Sequence, residues 1–125
     1  MTGILDTSVF VAREHERPLA ALPAEGRVSV ITVAELRVGV LVASESSVRA
    51  QRMRTLTEVE TLAAVPVDDD VAREFAEVVA EARRQGRRPK ILDSLIAATA
   101  RALDVPVYTQ DADFDEILGV QVVHV

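Results

Sequence analysis

No cysteine occurs among the 125 residues, which removes disulfides, thiolate zinc sites and cysteine nucleophiles together. Aromatic side chains make up only 3% of the chain, too few for the platforms on which unpaired bases are stacked. Basic residues are in the minority, 14 against 20 acidic ones for a formal charge of -6, and Lys90 is the only lysine. The field of the whole chain therefore repels phosphate polymers unless charge is locally segregated or a metal intervenes. Long apolar runs are missing as well, since the longest, Val38 to Ala43, is far too short to cross a bilayer. Met1 to Asp6 reaches a carboxylate with no basic leader before it. The expectation is a soluble, cytoplasmic protein without a membrane segment.

An apolar share of 49% supports a packed core, and the length accommodates a single domain over residues 1–125. Short β-branched runs alternate with longer stretches of helical period, the pattern of an α/β domain with a mainly parallel sheet. The expected strands are Gly3 to Leu5, Val28 to Ile31, Ala64 to Val67, Val105 to Tyr108 and Val120 to Val123. The expected helices are Ser8 to Arg13, Val33 to Ala43, Ser47 to Leu62, Asp69 to Gln85 and Ile91 to Leu103. In Asp69 to Gln85 the residues Val71, Phe75, Val78, Val79 and Ala82 recur at helical spacing, and Gly86 offers a left-handed stop. Val33 to Ala43 and Ser47 to Leu62 follow each other across a short serine-containing break, so they read as a helical hairpin inserted in the alternation.

Several carboxylates fall where an expected strand gives way to a loop or helix. Asp6 follows the first strand, Glu35 lies just after the second, Asp93 opens the helix before the fourth, and Asp111 and Asp113 follow the fourth. The carboxyl ends of parallel strands share one edge, and ligands bind in the crevice there. Two carboxylates about 5 Å apart repel by roughly 3 kcal/mol at an effective dielectric of ~20. Protons or a cation must relieve such a pocket. Oxygen donors without cysteine, with His15 and His124 far from these segments in sequence, favour a hard ion such as Mg²⁺ or Mn²⁺. An ion held by few carboxylates keeps open positions, which suits phosphodiester hydrolysis.

Each residue also has a purely structural reading. Asp6 in Asp6-Thr7-Ser8 fits a helix N-cap. Thr32-Val33-Ala34-Glu35 fits a capping box in which Glu35 reaches back to Thr32. Asp93 can complement the positive end of its helix, and Asp111 to Asp115 can be a solvated turn. These readings explain the residues one by one but leave their shared placement at strand ends unexplained.

Leu5-Asp6-Thr7-Ser8, Ala34-Glu35-Leu36, Asp93-Ser94-Leu95-Ile96-Ala97-Ala98-Thr99-Ala100 and Thr109-Gln110-Asp111-Ala112-Asp113-Phe114 resemble, in order, the acidic signatures of PIN-domain ribonucleases. With this length, the chain is most similar to the VapC toxin class of type II toxin-antitoxin modules. The resemblance implies a three-layer α/β/α PIN-like domain with a central, mainly parallel sheet of about five strands. It further implies a Mg²⁺-dependent endoribonuclease, with Mn²⁺ a substitute, acting on tRNA or other structured RNA. A VapB-like antitoxin as inhibitor and a homodimer are implied with it. Carried over by residue, Asp6, Glu35, Asp93 and Asp111 match the acidic quartet and Asp113 a further acidic position. Thr7, Ser8 and Thr109 match hydroxyl positions that orient carboxylates or water around a metal rather than attack.

The densest positive run, Arg83, Arg84, Arg87, Arg88 and Lys90, holds five of the fourteen basic residues and immediately precedes Asp93. It is the expected RNA contact, against the alternative of a solvated helix end. A receiver-type phosphorylation switch expects an acidic pair after the first strand and a lysine after the last, and neither is present. An Asp-x-Asp-x-Thr phosphatase fails because Ser8 stands in place of the second aspartate, and a calcium loop fails at Glu116 and Val122. A nonenzymatic PIN-like binding module remains as the competing reading, although nothing in the quartet is missing.

Overall fold

The computed structural model describes all 125 residues. Five parallel strands form one sheet: β1 (Thr2–Leu5), β2 (Glu25–Ser29), β3 (Ala64–Val65), β4 (Val107–Thr109) and β5 (Val122–His124). Their order across the sheet is β3-β2-β1-β4-β5, and every neighbouring pair is parallel. The helices are α1 (Thr7–Glu14), α2 (Val30–Val42), α3 (Ser46–Glu60), α4 (Asp69–Arg84) and α5 (Ile91–Leu103), with a short 3-10 turn at Ala112–Glu116. The chain steps outward from β1 to β3, then returns to lay β4 against the other side of β1. The point where the direction reverses is therefore the β1–β4 junction.

Side chains on successive strand residues point to opposite faces, and the core divides accordingly. Ile4 of β1 and Val107 of β4 join Val78, Ile96, Ala97 and Ala100 on the α4–α5 side. Leu5 and Tyr108, one residue further along each strand, join Phe10, Leu36, Leu56 and Val59 on the side of α1, α2 and α3. The result is the expected three-layer arrangement, with α2 and α3 packed together as the inserted hairpin. The alanines of α5 that crowd its inner face, Ala97, Ala98 and Ala100, are fully buried. Gly3 has no side chain because Tyr108 occupies the space: a Cβ there would come within 2.3 Å of the ring.

Several strand boundaries differ from expectation: β3 ends at Val65 rather than Val67, β4 is Val107–Thr109 rather than Val105 to Tyr108, and β5 is Val122–His124 rather than Val120 to Val123. Val28 to Ile31 is not a strand throughout: β2 runs Glu25–Ser29, and α2 begins at Val30 rather than Val33. The cause is Ser29, whose hydroxyl accepts from the backbone N–H of Ile31 at 3.1 Å and so caps the helix. Segment Asp111 to Asp115 is a largely exposed turn, ordered as 3-10 because Asp111 Oδ1 accepts from the N–H of Asp113 at 2.9 Å. Elsewhere the helices fall within a few residues of expectation, and Gly86 takes up a φ of 70° just beyond α4, as its left-handed stop requires.

Candidate active site

Four separate stretches of chain deliver carboxylates to the carboxyl edge of the sheet. Asp6 directly follows β1, Asp111 lies just beyond β4, Asp93 is in the first turn of α5 and Glu35 is in α2. All four, with Thr7, Ser8 and Lys90, line one open pocket of about 310 Å³. Asp113 lies outside that lining, yet an oxygen of Asp113 lies within 4.8 Å of one from Asp93 and one from Asp111. The site thus consists of a tight trio, Asp93, Asp111 and Asp113, with Asp6 and Glu35 facing the same pocket outside the trio.

Register explains the partners of Asp6. Leu5 of β1 pairs with Tyr108 of β4, so the next residues, Asp6 and Thr109, lie side by side at the strand ends. Thr109 donates to Asp6 Oδ2 at 2.9 Å, and both residues are almost wholly buried. A hydroxyl has one proton, so with Thr109 committed to Asp6, the Ser8 hydroxyl 3.1 Å away donates to Thr109. Ser8 in turn accepts from the N–H of Gln110 at 3.0 Å, while Thr109 accepts from the N–H of Asp111 at 2.9 Å. The network locks β1, β4 and the 3-10 turn into one frame around Asp6.

The N-cap reading of Asp6 is correct without being sufficient. Oδ2 takes both the Ser8 N–H, at 3.3 Å, and the Thr109 hydroxyl. Capping therefore leaves Oδ1 to face the pocket's charge. Glu35 repeats the arrangement, with Oε1 accepting from Thr7 at 2.7 Å. Its capping-box reading fails, because α2 starts at Val30 and puts Thr32 and Glu35 inside the helix. Thr32, fully buried and 3.0 Å from the Thr7 hydroxyl, supports Thr7 from behind. The sequence signal for that role was the three-residue spacing from Thr32 to Glu35, which puts them on one helix face.

Asp93 is the electrostatic centre. Its Oδ2 is buried and has no hydrogen-bond partner. Burial first, then the charges of Asp6 and Asp111, push its carboxyl up to about 6, with Lys90 pulling the other way and Glu35 adding a smaller upward push. A carboxylate that merely complemented a helix N-terminus would shift downward. Lys90, immediately before α5, contacts Asp113 Oδ2 at 3.1 Å. That hydrogen bond, with attraction from Asp113, Asp93 and Asp111, holds its ammonium above the usual lysine range.

The arrangement suits a hard divalent cation on chemical grounds. Its donors are all oxygens, their mutual repulsion needs a positive charge to relieve it, and an unpartnered buried oxygen points to a missing ligand contact. Beside it opens a second cavity of about 690 Å³, lined by Arg83, Arg87 and Arg88 with Val79, Pro89 and Ile91. Ile91 borders both cavities, so the basic run abuts the acidic pocket. Arg84 does not line the cavity and pairs with Glu81 instead. No helix is long and apolar enough to cross a membrane.

Residues 3–119 match the PIN domain family. The chain is 47% identical to ribonuclease VapC5 of Mycobacterium tuberculosis, over 94% of this chain and 88% of the relative. It is 44% identical to ribonuclease VapC8 of the same species, over 78% of this chain and 89% of that protein. Its fold superposes on a chain of the crystal structure of VapBC-5, a toxin-antitoxin system from M. tuberculosis, with a TM-score of 0.90 and 44% identity over 99% of this chain and 98% of that one.

Proposed function

The chain belongs to the PIN-domain family, among the VapC ribonucleases, and on that footing we propose that it is the endoribonuclease toxin of a toxin-antitoxin module. The observation that carries this reading is the meeting of Asp6, Glu35, Asp93 and Asp111 in one pocket, around a buried Asp93 oxygen with no protein partner. A nonenzymatic binding module has no use for such a costly grouping of charge.

Asp93, Asp111 and Asp113 hold the divalent ion, with Asp6 and Glu35 completing the pocket around it. Mg²⁺ is the physiological choice and Mn²⁺ a substitute, since both are hard ions served by carboxylate oxygens. When bound, such an ion stabilises charge on phosphoryl oxygens and lowers the pKa of water. The protein's own part is positional. Thr109 and Ser8 fix the rotation of Asp6, and Thr7, backed by Thr32, fixes that of Glu35. In each case one carboxylate oxygen is occupied by the fold and the other is left for the site.

RNA reaches this acidic pocket along its basic neighbour. Arg83, Arg87 and Arg88 offer guanidinium groups to phosphates, while Val79, Pro89 and Ile91 give the cleft apolar walls. Structured RNA such as tRNA is the proposed substrate. A VapB-type antitoxin is the proposed inhibitor, in keeping with the toxin-antitoxin structure the fold matches. Val38, Leu41 and Val42 stand largely exposed on α2, apolar surface of the kind that a protein partner or a second copy covers. The test is cleavage of RNA by the purified chain with Mg²⁺ or Mn²⁺, against Asp6→Asn and Asp93→Asn.

A further inference from the structure

Thirteen of the fourteen basic residues are arginines, and the single lysine is the one whose charge reaches the carboxylate trio. Its backbone is held firmly. Pro89 precedes it, and its carbonyl accepts both the N–H and the hydroxyl of the fully buried Ser94, each at 2.9 Å. The side chain is free by contrast, with 72% of its surface exposed and its ammonium bound only to Asp113 Oδ2. A fixed base with an exposed charged tip held by one contact describes a cation on a tether.

The position of that tip sets it against the ion. Asp113 belongs to the trio whose oxygens lie within 4.8 Å of one another, so the group that binds Lys90 is one that the divalent ion needs. Residue type matters here. An ammonium is a compact point charge that gives up one carboxylate easily, whereas a guanidinium grips both oxygens in a fixed fork. This inference rests on the metal-site reading above and adds a regulatory element to it.

We propose that Lys90 is a tethered counter-cation that neutralises the carboxylate trio in the metal-free protein and is displaced from Asp113 when the divalent ion loads, so that it lowers the affinity of the site for metal. Its displacement frees the ammonium beside the basic cleft, which reconciles this role with the RNA contact expected of it. Before loading, the same charge limits repulsion among Asp93, Asp111 and Asp113.

The test is calorimetric titration of Mn²⁺ into the metal-stripped protein without RNA, comparing the parent with Lys90→Met, Lys90→Arg and Arg54→Met. Arg54 lies on α3 away from the pocket, so its variant makes the same change in net charge elsewhere. Lys90→Met is expected to bind Mn²⁺ about fivefold more tightly, the upper range for a partly exposed ion pair. Lys90→Arg is expected to bind no more tightly than the parent, and Arg54→Met to stay within about twofold of it. Unchanged or weaker binding by Lys90→Met overturns the proposal, as does equal tightening by Arg54→Met. Absence of Mn²⁺ binding by every form, the parent included, overturns the metal-site reading itself and this inference with it.

Discussion

Thr109 stands between Asp6 and Asp111, donating to the carboxylate of one at 2.9 Å and accepting from the backbone of the other at 2.9 Å. It is completely buried, so neither bond has water as a substitute. One hydroxyl therefore sets both the orientation of the Asp6 carboxylate and the starting point of the turn that carries Asp111 and Asp113.

Thr109→Val keeps the shape and loses both of these bonds together with the one from the Ser8 hydroxyl. The variant is expected to lose about 1–3 kcal/mol of stability from the stranded N–H and carboxylate, and about 10-fold to 100-fold in metal affinity or activity. Thr109→Ser restores the hydroxyl and is expected to recover most of the activity. Denaturant melts and Mn²⁺ titration of the three proteins check this, and a fully active valine variant would remove Thr109 from the account.

The raised pKa of Asp93 has a defined consequence for the metal-free protein. Its folded value of about 6 lies above the ordinary aspartate value of 3.8. The folded state therefore holds this proton more tightly than the unfolded state. The resulting stabilisation is complete below about pH 4 and is lost as pH rises through about 6. Asp93→Asn has no such proton, so its stability relative to the parent, measured in chelator by urea unfolding, should increase from about pH 4 to about pH 6 and then level off. A difference that stays constant across that range contradicts the assignment. Metal binding by the parent should weaken below about pH 6 for the same reason, since the ion needs the ionised carboxylate.

Within the basic run the residues should separate. Arg87→Gln with Arg88→Gln is expected to weaken RNA binding and reduce the salt slope by about 1.4 for single strands, two phosphate contacts at ~0.7 each. Arg84→Gln is expected to change neither, because Arg84 pairs with Glu81 outside the cleft. Binding of RNA to catalytically inactive protein over a range of salt concentrations makes the comparison.

Much of this site was legible because its residues fall at strand ends, and strand ends in a parallel sheet share an edge. Asp6 and Asp111 could be placed from the apolar runs before them, and their meeting follows from the pairing of β1 with β4. The start of α2 was not legible. Val28 to Ile31 is apolar and β-branched apart from Ser29, a pattern common to a buried strand and a buried helical turn. Ser29 decides between them through a cap that only the three-dimensional chain reveals. For the same reason the capping-box alternative for Thr32 fails in the structure, where Thr32 is a buried support for Thr7. The division of the carboxylates into a tight trio and two flanking groups depends on side-chain distances, which spacing along the chain does not encode. Lys90 belonged by sequence to the basic run and by contact to the acidic site.

The central claim is that these carboxylates form one metal-dependent RNA-cleaving centre. Its most direct test is incubation of RNA with the metal-stripped protein, with and without added Mg²⁺ or Mn²⁺, alongside folded Asp6→Asn and Asp93→Asn variants. The account predicts cleavage by the parent only when metal is restored, and a loss of about 100-fold or more in each variant. Undiminished cleavage by both variants, or cleavage by the parent that persists in excess chelator, would contradict it.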